Sequence, residues 1–444
     1  MCLPVYGCIL EFKTPNSSFS GLGMSKTWHK PFWRLIIALG CYLVDAPSSH
    51  SGERTLLPHT YQRLRSGEPV TIVCLGDSVT GIYYHSGGRR AYPEMLQIAL
   101  NKQFPKAKVR VINAGISGDT TALAWARLEN DVLQHRPHLV TVMFGLNDVA
   151  RLPLDDYRQN LAKISKRVAD AGSEVLLCTP NGVEATPDRP LAKVSEFVAA
   201  ARALGTQQRL PVADVFAAYE EVRSKDATEF SLLLSDPLHP NMDGHKRSAA
   251  VIARAISGRE ISLENEAPLS PAIPHTLSLL LEKQPIKVLA MPPYDTLVGP
   301  ILKKLDPEAK IEVSTWEVAG KSLGEIEEDA KNVRELRPDL VIVAVPLVPS
   351  TEPVPGFARS YGWILSRSLS FGIQEWDVLA LPPSLAEPVK SESQRLQDKL
   401  VQRLIAAQDL SLIARQPNDH RPAADVLSGW FEDEFFAARD KQGK

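Results

Sequence analysis

From Pro69 onward the chain alternates short apolar, β-branched runs with segments of helical period, and this rhythm restricts the fold more than any other feature of the sequence. Apolar runs at 70–75, 109–112, 139–144, 174–178 and 212–215 read as strands buried on both faces. The intervening stretches 93–103, 121–135, 154–171 and 191–209 read as helices. Strands joined by helical crossovers pair in parallel, because such a connection closes right-handed over the sheet. The expectation is a flavodoxin-like three-layer α/β/α sandwich on a parallel five-stranded sheet, with ligands held beyond the carboxyl ends of the strands.

A chain of 444 residues exceeds one ordinary domain. Residues 259–284, rich in Pro, Ser and Glu, break the rhythm and are expected to be a linker between a domain at 51–258 and a second at 285–444. The second half repeats the first in weakened form: 285–290 mirrors 69–74, 307–313 mirrors 105–111, and Arg337-Pro338 mirrors Arg136-Pro137. A second, degenerate α/β domain of similar topology follows. In that alignment Tyr294 falls opposite Ser78 and Val348 opposite Asn147, and no Asp-x-x-His succeeds them, so the second lobe lacks the chemistry of the first.

Residues 1–50 read as a signal peptide or leader. Lys26, Lys30 and Arg34 precede the apolar stretch 35–44 and the small residues before Pro47, the order of a secretory signal, which implies export to the periplasm or beyond. The ten-residue apolar stretch is short for a membrane span. A net charge of −2 gives no electrostatic basis for binding nucleic acid. Five scattered cysteines without a Cys-x-x-Cys pair argue against a disulfide scaffold or zinc site, and nothing calls for a metal or other cofactor.

The chemistry-bearing residues follow the strands. Gly76-Asp77-Ser78 puts a serine on the first strand-to-helix turn, where free N–H groups face a ligand. A serine hydroxyl needs a positioned base, and Asp236-Pro237-Leu238-His239 supplies an imidazole with a carboxylate to orient it. Gly115, after the second strand, and Asn147, after the third, can donate N–H groups to a developing oxyanion beside the Ser78 N–H. Tyr84 and His85 lie close enough in sequence to Ser78 to line a substrate cleft, with a solvated loop as the competing reading.

These four stretches, in this order, resemble the blocks of the SGNH (GDSL-type) hydrolases over roughly residues 69–258. The resemblance implies Ser78 as nucleophile, Gly115 and Asn147 as oxyanion donors, His239 as base and Asp236 as its orienter. It further implies hydrolysis of a carboxylic ester, an O-acyl carbohydrate or a lipid ester, through an acyl-enzyme. A polysaccharide-binding protein or an acyltransferase on the same fold is the alternative. Val79 stands where the family usually has Leu, a change of packing more than of chemistry.

Overall fold

The computed structural model describes residues 56–347, 353–370, 375–415 and 419–442. The leader read at 1–50 and Val348 lie outside the described residues. The described residues form one compact unit containing two parallel sheets.

The first sheet has β1 (Val70–Gly76), β2 (Val109–Gly115), β3 (Leu139–Met143), β4 (Glu174–Cys178) and β5 (Val212–Ala213), in the order β2-β1-β3-β4-β5. All neighbours run parallel, with Val70 opposite Val109 and Ile72 opposite Leu139. β1 and β3 are almost wholly buried because helices cover both faces, so their sequences are continuous apolar runs and not alternating ones. The sheet order reverses at β1, and at that switch point β1, β2 and β3 end side by side.

Two elements depart from expectation. β5 is only two residues long, because Asp214 accepts the Ala217 N–H and starts the helix Val215–Lys225 where a longer strand was expected. The stretch 259–284 is not bare linker: Pro274–Leu281 is a helix whose Thr276, Leu277 and Leu280 are buried.

The second sheet comprises β6 (Ile286–Ala290), β7 (Ile311–Thr315), β8 (Leu340–Val343) and β9 (Asp377–Ala380), ordered β7-β6-β8-β9. This is the order of β2-β1-β3-β4 in the first lobe. Local detail repeats as well. Arg136 and Arg337 both take left-handed backbone, with φ of 46° and 45°. His138 N–H donates to the Thr71 carbonyl while the His138 ring accepts the Thr71 N–H; Asp339 exchanges the same pair of bonds with Lys287.

The lobes share a packed boundary. Tyr84 packs into the second lobe's core, and Leu232 belongs to it. Arg90 and Asp409 form a buried ion pair across the boundary, and Arg403 makes a bidentate bridge to Glu229. Trp316 and Trp376 are buried in the second core, so they offer no exposed platform for a sugar ring.

Candidate active site

Ser78 sits in the turn that leaves β1. Asp77 builds this turn: its side chain accepts the Val79 N–H at 2.9 Å and its carbonyl accepts the N–H groups of Thr80 and Gly81. Ser78 Oγ lies 2.9 Å from His239 Nε2 although 161 residues separate them. His239 Nδ1 lies 2.7 Å from Asp236 Oδ2, and Asp236 Oδ1 accepts the N–H groups of Leu238 and His239 at 2.8 Å each. A carboxylate only accepts, so Nδ1 carries the proton in the neutral ring and Nε2 is left to accept from the serine hydroxyl.

The electrostatics follow from this geometry. Burial works to raise the Asp236 carboxyl, but the His239 hydrogen bond, its charge and the two N–H groups outweigh burial and hold it at about 2. Burial disfavours a charged His239, and the bond and charge of Asp236, with Asp77 behind, reverse this and raise the imidazole above its ordinary value. Burial pushes Asp77 up to about 7 against the pull of the Val79 N–H and of His239.

The expected oxyanion donors are placed differently from each other. Asn147 lies in the first turn of a short helix (Leu146–Arg151) after β3, with its Nδ2 donating to the Asp119 carbonyl at 2.9 Å. Gly115 is a correction. Its N–H is taken by Asn113 Oδ1 at 3.1 Å, and its α-carbon faces the backbone of Thr80 and Gly81, where no side chain fits. The loop returns toward Asn147 three residues later. At Gly118 (φ 75°) the N–H makes no hydrogen bond among the described residues, and the next carbonyl, that of Asp119, is the one Asn147 holds.

His85 is a second correction. It is 1% exposed and stacks on the His239 ring, so it cannot line a cleft. Tyr84 is half-buried, with the Arg334 guanidinium of the second lobe 5.0 Å over its ring.

Sequence reasoning missed two arginines. Arg189 donates from Nε to the Leu146 carbonyl at 2.7 Å and from Nη2 to Asn147 Oδ1 at 3.3 Å, which assigns the Asn147 amide with its nitrogen toward Asp119. Arg127 ties Asp119 to the Gly76 carbonyl, locking the second loop to the end of β1. No local pattern marks either, since what Arg189 and Arg127 each tie into the site, Asn147 and the Gly76 carbonyl, lies 42 and 51 residues away. Among the described residues no group of His, Cys, Asp or Glu side chains could hold a metal ion, and no helix is long and apolar enough to cross a membrane.

Residues 74–247, which contain Ser78, Gly118, Asn147, Asp236 and His239, match the model of the GDSL-like lipase/acylhydrolase family. An acetylxylan esterase of Geobacillus stearothermophilus is 30% identical over 178 residues, 37% of this chain and 78% of that protein. The chain belongs to the GDSL-like lipase/acylhydrolase family. As a member it is a carboxylic ester hydrolase. An arylesterase of Vibrio mimicus is 36% identical over 107 residues, 24% of this chain and 52% of that protein. The crystal structure of a lipase/acylhydrolase from Enterococcus faecalis aligns at 29% identity over 44% of this chain and 99% of its own, with a TM-score of 0.38. The family match ends at residue 247, before the second lobe begins.

Proposed function

We propose that this GDSL hydrolase is a serine esterase acting through an acyl-enzyme on O-acylated carbohydrate. Ser78 Oγ forms a bond to the ester carbonyl carbon as its proton passes to His239 Nε2. The tetrahedral oxyanion takes hydrogen bonds from the N–H groups of Ser78 and Gly118 and from Asn147 Nδ2. The bond to the leaving oxygen then breaks, and His239 returns the proton to the departing alcohol. Water repeats the sequence on the acyl-serine: His239 removes its proton, hydroxide adds to the acyl carbon, and Ser78 leaves reprotonated. Asp236 stays ionised and stabilises the imidazolium formed at each transfer.

The observation that carries this reading is the 2.9 Å contact of Ser78 Oγ with a His239 ring whose other nitrogen is fixed by Asp236. The carbohydrate ester is favoured by the acetylxylan esterase relative, which shares the larger part of its own length with this chain. The basic, apolar and small-residue order of residues 24–46 supports export, which suits an extracellular polymer as substrate.

The test is Ser78→Ala assayed on acetylated xylo-oligosaccharide and on p-nitrophenyl acetate, with fluorophosphonate labelling alongside. Loss of both turnover and label is expected. Undiminished turnover would remove the serine mechanism, and wild-type activity on the nitrophenyl ester with none on the oligosaccharide would remove the carbohydrate substrate.

A further inference from the structure

Against the face of the His239 ring, whose edge Asp236 holds, lies a second imidazole. The His85 ring is 4.5 Å from the His239 ring, centroid to centroid, and within 11° of parallel. His245 lies near-parallel to His85 at 5.8 Å, and Tyr84 meets the His85 ring edge-on at 5.7 Å. His85 is 1% exposed, and among the described residues neither of its ring nitrogens has a hydrogen-bond partner at normal geometry. An unpartnered buried imidazole costs free energy that a phenyl or aliphatic side chain would not.

We propose that His85 is a positioning residue for His239: its neutral ring lies flat against the imidazole that carries the proton, keeps that ring in plane with Ser78, and supports its cationic form through the ring face. The inference rests on the reading of His239 as the catalytic base. When His239 takes the serine proton, Asp236 meets the new charge at the ring edge and the π-face of His85 meets it from behind. The support requires that His85 stay uncharged. Burial disfavours its protonation, and the neighbouring His239 and His245 add to this against the pull of Asp236 and of the Ser78 main chain. The other charged groups facing His239 are Asp77, from the turn after β1, and Arg189.

The second lobe holds this arrangement. The His85 carbonyl accepts a hydrogen bond from Ser235 Oγ, and Ser235 Oγ accepts in turn from Gln408 Nε2 at 2.9 Å. Ser235 directly precedes Asp236, so one side chain of the second lobe steadies both the carboxylate loop and the stacked imidazole. This gives the lobe a part in catalysis although its described residues include no triad of their own.

The test uses the full chain with p-nitrophenyl acetate. His85→Leu is expected to lower kcat about threefold to thirtyfold with KM unchanged, the range of a cation–π contact. Its acid limb of kcat/KM should move to lower pH, because the protonated form of His239 loses support. His85→Phe restores the ring face and should recover most of both effects. A merely structural role predicts a fall in Tm with kcat and the acid limb unmoved, and that result, or a Phe variant as slow as the Leu variant, overturns the proposal. Imidazole ¹⁵N shifts of the unaltered protein need no variant: His85 should stay neutral while His239 titrates, and a His85 that titrates with it also overturns the proposal. Ser78→Ala in the same assay separates the two readings. Turnover that survives there removes the role of His239 itself; an inactive Ser78→Ala beside an unaltered His85→Leu removes only the support assigned to His85.

Discussion

Asp236 grips His239 at two points: Oδ2 meets the ring Nδ1 at 2.7 Å and Oδ1 meets the His239 main-chain N–H at 2.8 Å. One carboxylate thus sets both the tautomer of the ring and the course of the loop that carries it. Asp236→Asn keeps an acceptor for the main-chain N–H but presents an amide to Nδ1. The ring must then carry its proton on Nε2, where it can no longer receive one from Ser78. The expected loss in kcat is about a thousandfold or more. With the raising influence of Asp236 gone, the residual activity should show its acid limb at lower pH. The folding linkage has two signs. The stability contributed by Asp236, held at about 2, is present above the ordinary aspartate value and is lost as pH falls toward 2; that of His239 is present below its ordinary value and is lost as pH rises through its raised folded value. Profiles of kcat/KM against pH and urea unfolding at several pH values check both.

Asn147→Ala should cost about a hundredfold to a thousandfold in kcat, the usual effect of removing one oxyanion donor, with KM little changed. The Asn147 amide has two hydrogens, and the Asp119 carbonyl uses only one. Steady-state kinetics on a nitrophenyl ester decide it. A change confined to KM would place Asn147 in substrate binding and away from the oxyanion.

Ser78 and Asn147 were legible because each follows a strand end, which the sequence marks by a change of period; the Asp236 to His239 stretch lies beyond two helices that follow β5 and was legible only from the Asp-x-x-His spacing. Gly115 and Gly118 could not be told apart in that way. Both are glycines in one loop, and the distinction lies in the Asn113 side chain that takes one N–H and in the left-handed turn that exposes the other. His85 was misread for a different reason. Two glycines and two arginines follow it, the composition of a solvated loop, yet the second lobe covers that loop through Gln408 and Asp409, more than 300 residues away. The doubled topology was visible from Arg136-Pro137 and Arg337-Pro338, where matching left-handed residues precede matching strands.

Gly115→Ala and Gly118→Ala should separate the two glycines by readout. A Cβ at Gly115 would stand 2.2 Å from the Gly81 nitrogen and 2.6 Å from the Thr80 carbonyl carbon, both backbone atoms that cannot turn aside. Overpacking of this kind costs about 1–3 kcal/mol or more, so a clear drop in urea midpoint is expected. At Gly118 the nearest atoms, of the Arg151 guanidinium, are 3.7 Å away, and the strain comes from φ of 75° alone, about 1–2 kcal/mol. That strain displaces the N–H assigned to the oxyanion, so kcat should fall further in Gly118→Ala than in Gly115→Ala when both are compared well below their unfolding temperatures. The reverse order would return the donor role to Gly115.

Arg90 Nε donates to Asp409 Oδ2 at 2.8 Å, Nη2 reaches the other oxygen of the same carboxylate and the Ala267 carbonyl, and both side chains are almost fully buried. Burial raises the Asp409 carboxyl against the pull of Arg90, Lys246 and Arg89, and a buried pair carries a desolvation cost that its attraction has to offset. Removing one partner should therefore be costly and removing both much less so. Asp409→Asn leaves the Arg90 charge buried without a counter-ion and should destabilise the full chain by about 3–5 kcal/mol, whereas Arg90→Met combined with Asp409→Leu should recover most of that loss. Arg90 closes the loop that bears His85, so Asp409→Asn should also lower kcat at temperatures where the protein stays folded. Urea unfolding of Arg90→Met, Asp409→Leu and their double variant, with kcat measured on each, tests the coupling; strictly additive stabilities would mean that the pair does not join the lobes.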